Sequence, residues 1–273
     1  MPAAAGSVGR LSWSYADGVL VLLPPSEGKS PPVRGPALDL SRLSLPELTA
    51  TRAAVLQALV TVSGRPGGAA ALGVPAARAP EVERNTRLRQ EPTLPAGSVY
   101  TGVLYAALGL AALDPAAARR AARRLLVVSA LFGALRVTDR IPAYRLAMGV
   151  SLEPLGPLAA VWRAPLAEAL PPLAGRGLVV DCRSAPYAAA WSPAGELGQR
   201  WVTVRVPGAT HHAKHTRGLV ARALCLLPDD PRTPQRLAGI LDGFGDGPTV
   251  LHTRLTEPPR PGRPWQLDVT TST

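Results

Sequence analysis

Three short, largely apolar runs limit the possible folds of this 273-residue chain more than any other feature. They occupy residues 19–23, 125–130 and 177–182. Continuous runs rich in Val and Leu are typical of strands that are buried on both faces of a sheet. Stretches with helical patterns stand between them, and no linker separates two cores. We therefore expect one domain with an α+β fold, built on a mixed sheet with flanking helices.

Each run is followed by a loop that carries polar side chains. The first loop, residues 24–36, contains five prolines and two glycines, which preclude a helix there. Because ligand sites in open α/β sheets gather at the carboxyl ends of the strands, we expect the three loops to meet at one pocket. An ordinary structural role stays open for each loop taken alone. The candidate side chains in these loops are Ser26, Glu27, Lys29, Arg136, Asp139, Tyr144, Arg145, Arg183, Ser184 and Tyr187.

The scarcity of lysine marks two positions. The chain has 30 basic and 19 acidic residues, a formal charge of +11, and its only lysines are Lys29 and Lys214. A lysine retained in so arginine-rich a chain is a candidate for chemistry that Arg cannot perform, because a buried Lys can lose its proton and presents a compact point charge. We expect both lysines to approach one pocket together with Arg145 and Tyr187.

The remaining elements follow from periodicity and from Gly and Pro positions. Ser44 and Glu47 have the spacing of a capping box, which predicts a helix that begins at Ser44. The pattern predicts helices over 44–62, 76–88, 100–113, 116–124, 161–170, 213–227 and 233–241, and further strands over 201–206, 250–255 and 265–269. We expect residues 19–269 to form the domain, residues 1–18 a loose extension and residues 270–273 a tail.

The expected location is the cytoplasm, without a membrane partner. The most apolar stretch, residues 125–135, is about half the length that spans a bilayer. The first 18 residues lack a charged start followed by a continuous apolar stretch, so we expect no signal peptide. Two cysteines, Cys182 and Cys225, are expected to be packing residues. A lowered thiol pKa at Cys182, beside Arg183, is the alternative.

Five segments occur along the chain in a characteristic order: LLPPSEGKS (22–30), VYTGVLY (99–105), VVSALFGALRVTDRIPAYRLAMG (127–149), VVDCRSAPYAAAW (179–191) and HHAKHTRGLVARAL (211–224). Together they resemble the YaaA family, also called DUF328 or UPF0246, in its actinobacterial form. The resemblance runs from residue 19 to about residue 269. It implies a single α+β fold with a helix-hairpin-helix-like element. It also implies a cytosolic peroxide-stress protein that limits intracellular free iron and DNA damage and binds DNA.

Both lysines lie in segments that resemble family motifs. The same segments add the binding candidates Tyr100, Thr101, Gly102 and Arg217. A cluster of Lys, Arg, Tyr and carboxylate suits an anionic ligand, with Arg as a bidentate partner and Lys as a point charge or proton donor. It also suits the DNA backbone. A structural alternative is that Arg145 and Asp139 form an ion pair that braces the loops.

Two further groups have weaker functional patterns. Arg119, Arg120, Arg123 and Arg124 recur at helical spacing and form either a solvated helix face or a patch that contacts phosphates without sequence preference. His211, His212 and His215 are weak candidates for a metal or haem site, because His211 and His215 lie four residues apart. No third ligand is evident, so no metal site is predicted. The cofactor stays unassigned, with haem or iron open.

Two functions follow. The first is a YaaA-like role in the peroxide-stress response, with non-specific DNA binding. The second is a small-molecule enzyme that acts on an anionic or nucleobase-like substrate, with haem as an open cofactor. Its pocket would be lined by Lys29, Arg136, Asp139, Tyr144, Arg145, Tyr187 and Lys214. The first is the leading interpretation and the second is the alternative. The sequence does not give the oligomeric state.

Overall fold

The computed structural model describes residues 18–208 and 212–272. Its strands are β1 (Leu20–Leu23), β2 (Leu94–Pro95), β3 (Leu125–Ser129), β4 (Gly133–Arg136), β5 (Arg140–Ile141), β6 (Ser151–Leu152), β7 (Gly156–Pro157), β8 (Val179–Asp181), β9 (Trp201–Arg205), β10 (Gly245–Asp246), β11 (Thr249–Thr256) and β12 (Trp265–Ser272). Its α-helices are α1 (Thr49–Ser63), α2 (Gly68–Ala71), α3 (Ala79–Asn85), α4 (Ala96–Val99), α5 (Val103–Leu108), α6 (Pro115–Arg124), α7 (Leu158–Ala174), α8 (Ala185–Ala188), α9 (Gly195–Gln199), α10 (His212–Leu226) and α11 (Pro234–Leu241). Single 3-10 turns lie at Leu40–Arg42, Pro46–Leu48, Ala76–Arg78 and Leu110–Ala112.

One mixed sheet of eight strands organises the described residues, in the order β10-β11-β12-β9-β8-β1-β3-β4. The five strands from β12 to β3 are parallel, and the strands at both ends of the sheet are antiparallel. The fully buried strand β1 lies between β3 and β8. This arrangement confirms the expected α+β fold. The helix-hairpin-helix-like element stays a prediction.

The position of β1 creates the crevice in which ligands are expected. The chain leaves β1 to form β3 on one side and returns later to form β8 on the other. Because β1 pairs in parallel with both neighbours, the loops that follow the three strands leave from the same edge of the sheet. A reversal of strand order of this kind is where open α/β sheets bind their ligands.

The three predicted buried strands are present as β1, β3 and β8. The predicted helix start at Ser44 is wrong: α1 begins five residues later, and Leu45 has a φ of 62°. The backbone N–H and hydroxyl of Ser44 both donate to Asp139 Oδ1, at 3.0 and 2.8 Å, so this side chain caps no helix. Two other predicted helices also differ: α5 is shorter, between Gly102 and Gly109, whereas α7 continues through its prolines to Ala174.

The ends of the predicted domain can be compared only in part. Strand β12 extends to Ser272, where it pairs with β11, so three of the four residues expected as a tail are part of the sheet. The expected loose extension lies outside the described residues, apart from Gly18. Within the described ranges, no helix is long and apolar enough to cross a membrane.

Helix α10 packs on α5 and α6, and its sequence permits a close crossing. At Gly218 a Cβ atom would lie 2.3 Å from the carbonyl oxygen of Leu104 in α5. Only a residue without a side chain allows the two backbones to approach this closely. At its other end α10 is held by α6, because Arg120 and Arg124 donate to backbone carbonyls there.

Candidate functional site

The loop after β1 places the amine of Lys29 against aromatic rings. Nζ lies 4.4 Å from the centroid of the Tyr144 ring and 5.6 Å from that of Tyr100. The amine donates hydrogen bonds to the carbonyl oxygens of Ser26, at 2.7 Å, and Glu27, at 3.5 Å. A backbone bridge joins Lys29 to Tyr100 and fixes the loop against the segment before α5. The amine is therefore held by carbonyls and ring faces.

Burial, and after it the charge of Arg145, lower the pKa of Lys29 from 10.5 to about 7. Glu81 and Glu27 act in the opposite direction. In the described part of the chain, no carboxylate forms an ion pair with Lys29. A substantial fraction of this amine is therefore unprotonated at neutral pH, which is the state required of a nucleophile or a proton acceptor.

A chain of hydroxyl groups supports the ring under the lysine. Tyr144 Oη lies 2.9 Å from Tyr100 Oη and 2.8 Å from Ser129 Oγ, and Ser129 Oγ accepts the N–H of Phe132. The hydroxyl of Tyr105 donates to the carbonyl of Pro24. Burial raises the pKa of the three tyrosines well above its usual value. They remain neutral phenols that can donate hydrogen bonds.

Arg145 supplies the positive charge of the site. Its guanidinium lies 3.4 Å from Glu81 Oε2 and 3.9 Å from Glu27 Oε2, and the Glu27 side chain is 74% exposed. Asn85 fixes the backbone of Arg145 by donating to its carbonyl and accepting its N–H, each at 2.9 Å. The backbone is thus rigid while both ion pairs are long. Such a guanidinium can exchange its partly exposed carboxylates for an incoming anion.

The loop after β8 contributes Tyr187. The backbone N–H of Met148 donates a hydrogen bond to the Tyr187 hydroxyl, and burial raises the pKa of this hydroxyl to about 12. The charges of Glu27 and Arg145 also act on this phenol. Side chains from all three loops therefore meet at one place, which we call the Lys29 pocket: Ser26, Glu27, Lys29, Tyr100, Tyr144, Arg145 and Tyr187.

The segment before α5 supports the first loop. Ser26 Oγ donates to the carbonyl of Thr101. Gly102 has a φ of +102°, and a Cβ atom there would lie 3.0 Å from Ser26 Oγ. Glycine meets both requirements, since it adopts positive φ without strain and leaves room for the serine hydroxyl. Thr101 and Gly102 therefore shape the loop that carries Lys29.

Arg136 and Asp139 form a separate brace. Asp139 accepts hydrogen bonds from the backbone N–H of Arg136 and from both donors of Ser44. The guanidinium of Arg136 donates to the carbonyl of Arg123. Asp139 thus connects the loop after β4 to the approach to α1. The alternative ion pair between Arg145 and Asp139 is not formed, because Arg145 pairs with glutamates instead.

Arg183 holds the third loop from inside. Its guanidinium forms a bidentate pair with Asp181, at 2.9 and 2.7 Å, and both side chains are almost fully buried. It also donates to the carbonyls of Tyr187 and Trp191. Its donors are occupied by the protein, so it positions Tyr187. Ser184, half-buried, directly precedes α8.

Helix α10 brings only some of its candidates near the other loops. Lys214 is exposed in the first turn, and the structure gives it no contact with Lys29. Arg217 donates weakly to the carbonyl of Val204, at 3.5 Å, and its charge acts on the Cys182 thiol. Burial nevertheless raises the pKa of that thiol to about 12, so the alternative of a lowered thiol pKa is wrong.

The structure describes two of the three histidine candidates. His211 lies outside the described residues, His212 is exposed and His215 is half-buried in the first turn of α10. Among residues 18–208 and 212–272, no group of three or more His, Cys, Asp or Glu side chains is placed to hold a metal ion.

The four arginines of α6 divide into two pairs. Arg119 and Arg123 are exposed. Arg120 donates to two carbonyls at the end of α10, at 2.7 and 3.0 Å. Arg124 is 3% exposed, donates to carbonyls of the same helix end and forms a 2.8 Å ion pair with Asp230. Two members of the expected phosphate patch therefore hold helices together.

The sequence analysis missed several residues of the pocket. Glu81 pairs with Arg145, Asn85 fixes its backbone, and Ser129 and Tyr105 complete the hydroxyl contacts. Scarcity was an available signal for two of them. Asn85 is the only asparagine, and four of the five tyrosines lie in this cluster.

Comparison with known proteins identifies relatives over most of the chain. A family model described as "Peroxide stress protein YaaA" matches residues 19–240. A UPF0246 protein of Streptomyces coelicolor is 50% identical over 259 residues, covering 92% of this chain and 98% of the relative. UPF0246 proteins of Corynebacterium efficiens and Corynebacterium glutamicum are 38% and 36% identical, each covering 83% of this chain and 93% of the relative. These matches confirm the resemblance seen in the sequence motifs.

Proposed function

This chain belongs to the YaaA family of peroxide-stress proteins, also called UPF0246, and on that premise we propose that it acts in the cytoplasmic response to peroxide through a small anionic molecule bound in the Lys29 pocket. The observation that carries the proposal is the setting of the Lys29 amine. It is held by two backbone carbonyls over the Tyr144 ring, without a carboxylate partner among the described residues. An amine in this setting lacks the negative charge that an anionic ligand would supply.

The charge of the site supports an anion. Arg145 is paired only at 3.4 and 3.9 Å, with carboxylates that retain contact with water. An anion between Arg145 and Lys29 would offset two positive charges that now repel each other. In this proposal, what the Lys29 pocket does with its anionic ligand is the step that lowers intracellular free iron and DNA damage.

A binding experiment tests the pocket directly. Because an anion stabilises the ammonium form, binding near neutral pH must take up protons. We expect calorimetric titration with inorganic phosphate, acetate or a nucleoside monophosphate to give a heat that varies with the ionisation enthalpy of the buffer. Binding without proton uptake would contradict the role of Lys29 as the partner of the anion.

A complementation experiment tests the function. A strain without the gene would carry Lys29→Arg or the matched control Lys214→Arg, with folding checked by thermal melting. We expect Lys29→Arg to leave survival in peroxide and chelatable iron at the levels of the deletion strain, because Arg neither loses its proton nor fits the same site. The control should restore both. A fully active Lys29→Arg variant would remove the pocket as the seat of function.

Non-specific DNA binding is the second candidate function, supported by the charge of +11 and by the exposed Arg119 and Arg123. The informative variant is Arg119→Gln with Arg123→Gln, because it leaves the buried arginines of α6 intact. If DNA binding protects the cell, this variant loses affinity for DNA and peroxide resistance together. The slope of log affinity against log salt concentration should become shallower by about 0.9 for each phosphate that the variant no longer neutralises.

A further inference from the structure

We propose that the Lys29 amine forms a covalent imine with a 2-oxo acid, whose carboxylate is bound by Arg145. The inference rests on the proposed function, since it concerns the same pocket, and it specifies the chemical class of the ligand: a carbonyl group beside a carboxylate. Both groups of such a ligand find a partner here. Lys29 and Arg145 lie near each other, because both contact Glu27, through its carbonyl at 3.5 Å from Nζ and its carboxylate at 3.9 Å from Arg145, and because the charge of Arg145 acts on the Lys29 amine.

The hydrogen bonds of Nζ fit an unprotonated amine. A neutral amine has two N–H bonds and one lone pair, whereas an ammonium has three N–H donors and no lone pair. In the described residues Nζ has two acceptors, the carbonyl oxygens of Ser26 and Glu27. These satisfy both N–H groups of the neutral form. They leave the lone pair available, whereas the third donor of the ammonium form would have only the ring face of Tyr144 beside it.

The surroundings separate Lys29 from a structural lysine. A lysine that only stabilises a fold is usually fully solvated or paired with a carboxylate. Here the ring face of Tyr144 favours the ammonium, yet burial and the charge of Arg145 outweigh it and lower the pKa to about 7. A lysine desolvated beside a second cation is the arrangement that activates amines for attack on carbonyl carbon.

The reaction balances without an oxidant or a reductant. The lone pair of Nζ forms the C–N bond, and the π pair of the carbonyl moves to oxygen, which takes a proton. The resulting carbinolamine transfers a proton from nitrogen and loses the hydroxyl as water, which leaves the C=N bond. The protonated imine carries a positive charge, which the Tyr144 face stabilises as it does the ammonium. The phenol of Tyr187, which stays neutral near pH 7 because burial raises its pKa to about 12, can donate a hydrogen bond to the departing oxygen.

Reductive trapping tests the step on the intact chain. Pyruvate and cyanoborohydride would be added near neutral pH, and the reduced adduct located by peptide mass spectrometry. The chain contains its own comparison, because Lys214 is the only other lysine and is exposed. We expect the adduct on Lys29 to exceed that on Lys214 by more than about tenfold, since the neutral amine is the reactive form. Equal labelling of both lysines, or no labelling of Lys29, would overturn the proposal.

Two further measurements identify the role of each group. Arg145→Gln should reduce trapping of pyruvate more than trapping of acetaldehyde, which has a carbonyl and no carboxylate, because acetaldehyde loses only the reactivity that the charge of Arg145 gives the amine. An equal loss for both would contradict the assignment of the carboxylate to Arg145. Lactate, which has a hydroxyl in place of the carbonyl, separates the two proposals. If lactate and pyruvate both raise the melting temperature but pyruvate is never trapped, the imine fails and the anion pocket stands. If pyruvate is trapped on Lys29 but the Lys29→Arg variant still protects cells from peroxide, the imine stands and only the proposed function fails.

Discussion

Lys29 and Tyr144 are in direct contact, with Nζ 4.4 Å from the ring centroid. The amine comes from the loop after β1 and the ring from the loop that follows β4 and β5, so the contact joins two strand-end loops. Tyr144 is fixed in turn by the hydroxyls of Tyr100 and Ser129. The protonation of one amine is thereby linked to a network that reaches into the core.

The lowered pKa of Lys29 predicts a pH dependence of stability. Lys29 has a usual pKa of 10.5 and a folded value of about 7, so between these values the unfolded state binds a proton that the folded state lacks. Stability attributable to Lys29 therefore rises with pH across this window and is lowest below it. Lys29→Met removes the dependence. The melting temperature of the variant minus that of wild type should be larger at about pH 6 than at about pH 9. Each kcal/mol of difference in the free energy of unfolding should change it by roughly 2–4 °C.

The control for this experiment is Lys214→Met, which changes the other lysine at an exposed position. Its melting temperature relative to wild type should be the same at both pH values. A pH-independent difference for Lys29→Met would show that the folded amine titrates at its ordinary value.

Arg52 in α1 is expected to be essential for stability. Its guanidinium is fully buried and donates to four carbonyls, those of Ser44, Leu45, Phe132 and Ala134. Arg52→Met keeps the apolar stem but leaves these acceptors without donors, at about 1–3 kcal/mol for each unsatisfied group. We expect a loss above about 3 kcal/mol in urea unfolding. Arg65→Met, at an exposed ion pair, should change stability by about 0.5 kcal/mol or less.

Arg123 and Arg124 are neighbours with opposite expected effects. Arg124→Gln breaks a buried ion pair with Asp230 and several hydrogen bonds to the end of α10, so it should cost about 2–4 kcal/mol. Arg123→Gln changes an exposed side chain and should cost less than about 0.5 kcal/mol. Thermal melts of the two variants provide the comparison. Equal melting temperatures would contradict the assigned role of Arg124.

Two helical glycines form another matched pair. A Cβ at Gly218 in α10 would lie 2.3 Å from the Leu104 carbonyl, whereas none of the surrounding atoms lies within 4 Å of one at Gly239 in α11. Gly218→Ala must separate α10 from α5, with an expected cost of more than about 2 kcal/mol. Gly239→Ala should instead stabilise by about 0.5–1 kcal/mol, because Ala has the higher helix propensity. Stabilisation by both would show that the helices are not in close contact.

The approach of the first and third loops was predictable, because continuous apolar runs identify buried parallel strands and parallel strands end at one edge of the sheet. The position of Tyr144 and Arg145 was not, because the segment expected as a loop after β3 forms β4, antiparallel to β3, and then β5 before these residues. Scarcity marked Lys29 and Lys214 equally and could not separate them. Lys29 lies among the tyrosines and Arg145, whereas Lys214 is exposed, because its environment depends on how α10 lies against its neighbours.

The roles of the arginines were not predictable from sequence. Arg145, Arg183 and Arg124 have the same chemistry and all stand near strand or helix ends. What separates them is the set of acceptors around each guanidinium: long contacts to glutamates, a bidentate pair with Asp181, or carbonyls about one hundred positions away along the chain. The capping box at Ser44 fails for a related reason, since the distant carboxylate of Asp139 accepts the Ser44 N–H that Glu47 would accept in a capping box, and Leu45 has a positive φ.

The central place of β1 has a consequence for how this family can vary. Opening β1 requires separating it from β3 and β8 together, so its amides should be among the slowest to exchange with deuterated water. The Lys29 pocket therefore rests on the least dynamic part of the sheet, while Glu27 at its rim is largely exposed. Substitutions at the rim can alter what is bound at little cost to folding. A fold arranged in this way can acquire new ligand preferences while Lys29 keeps its position.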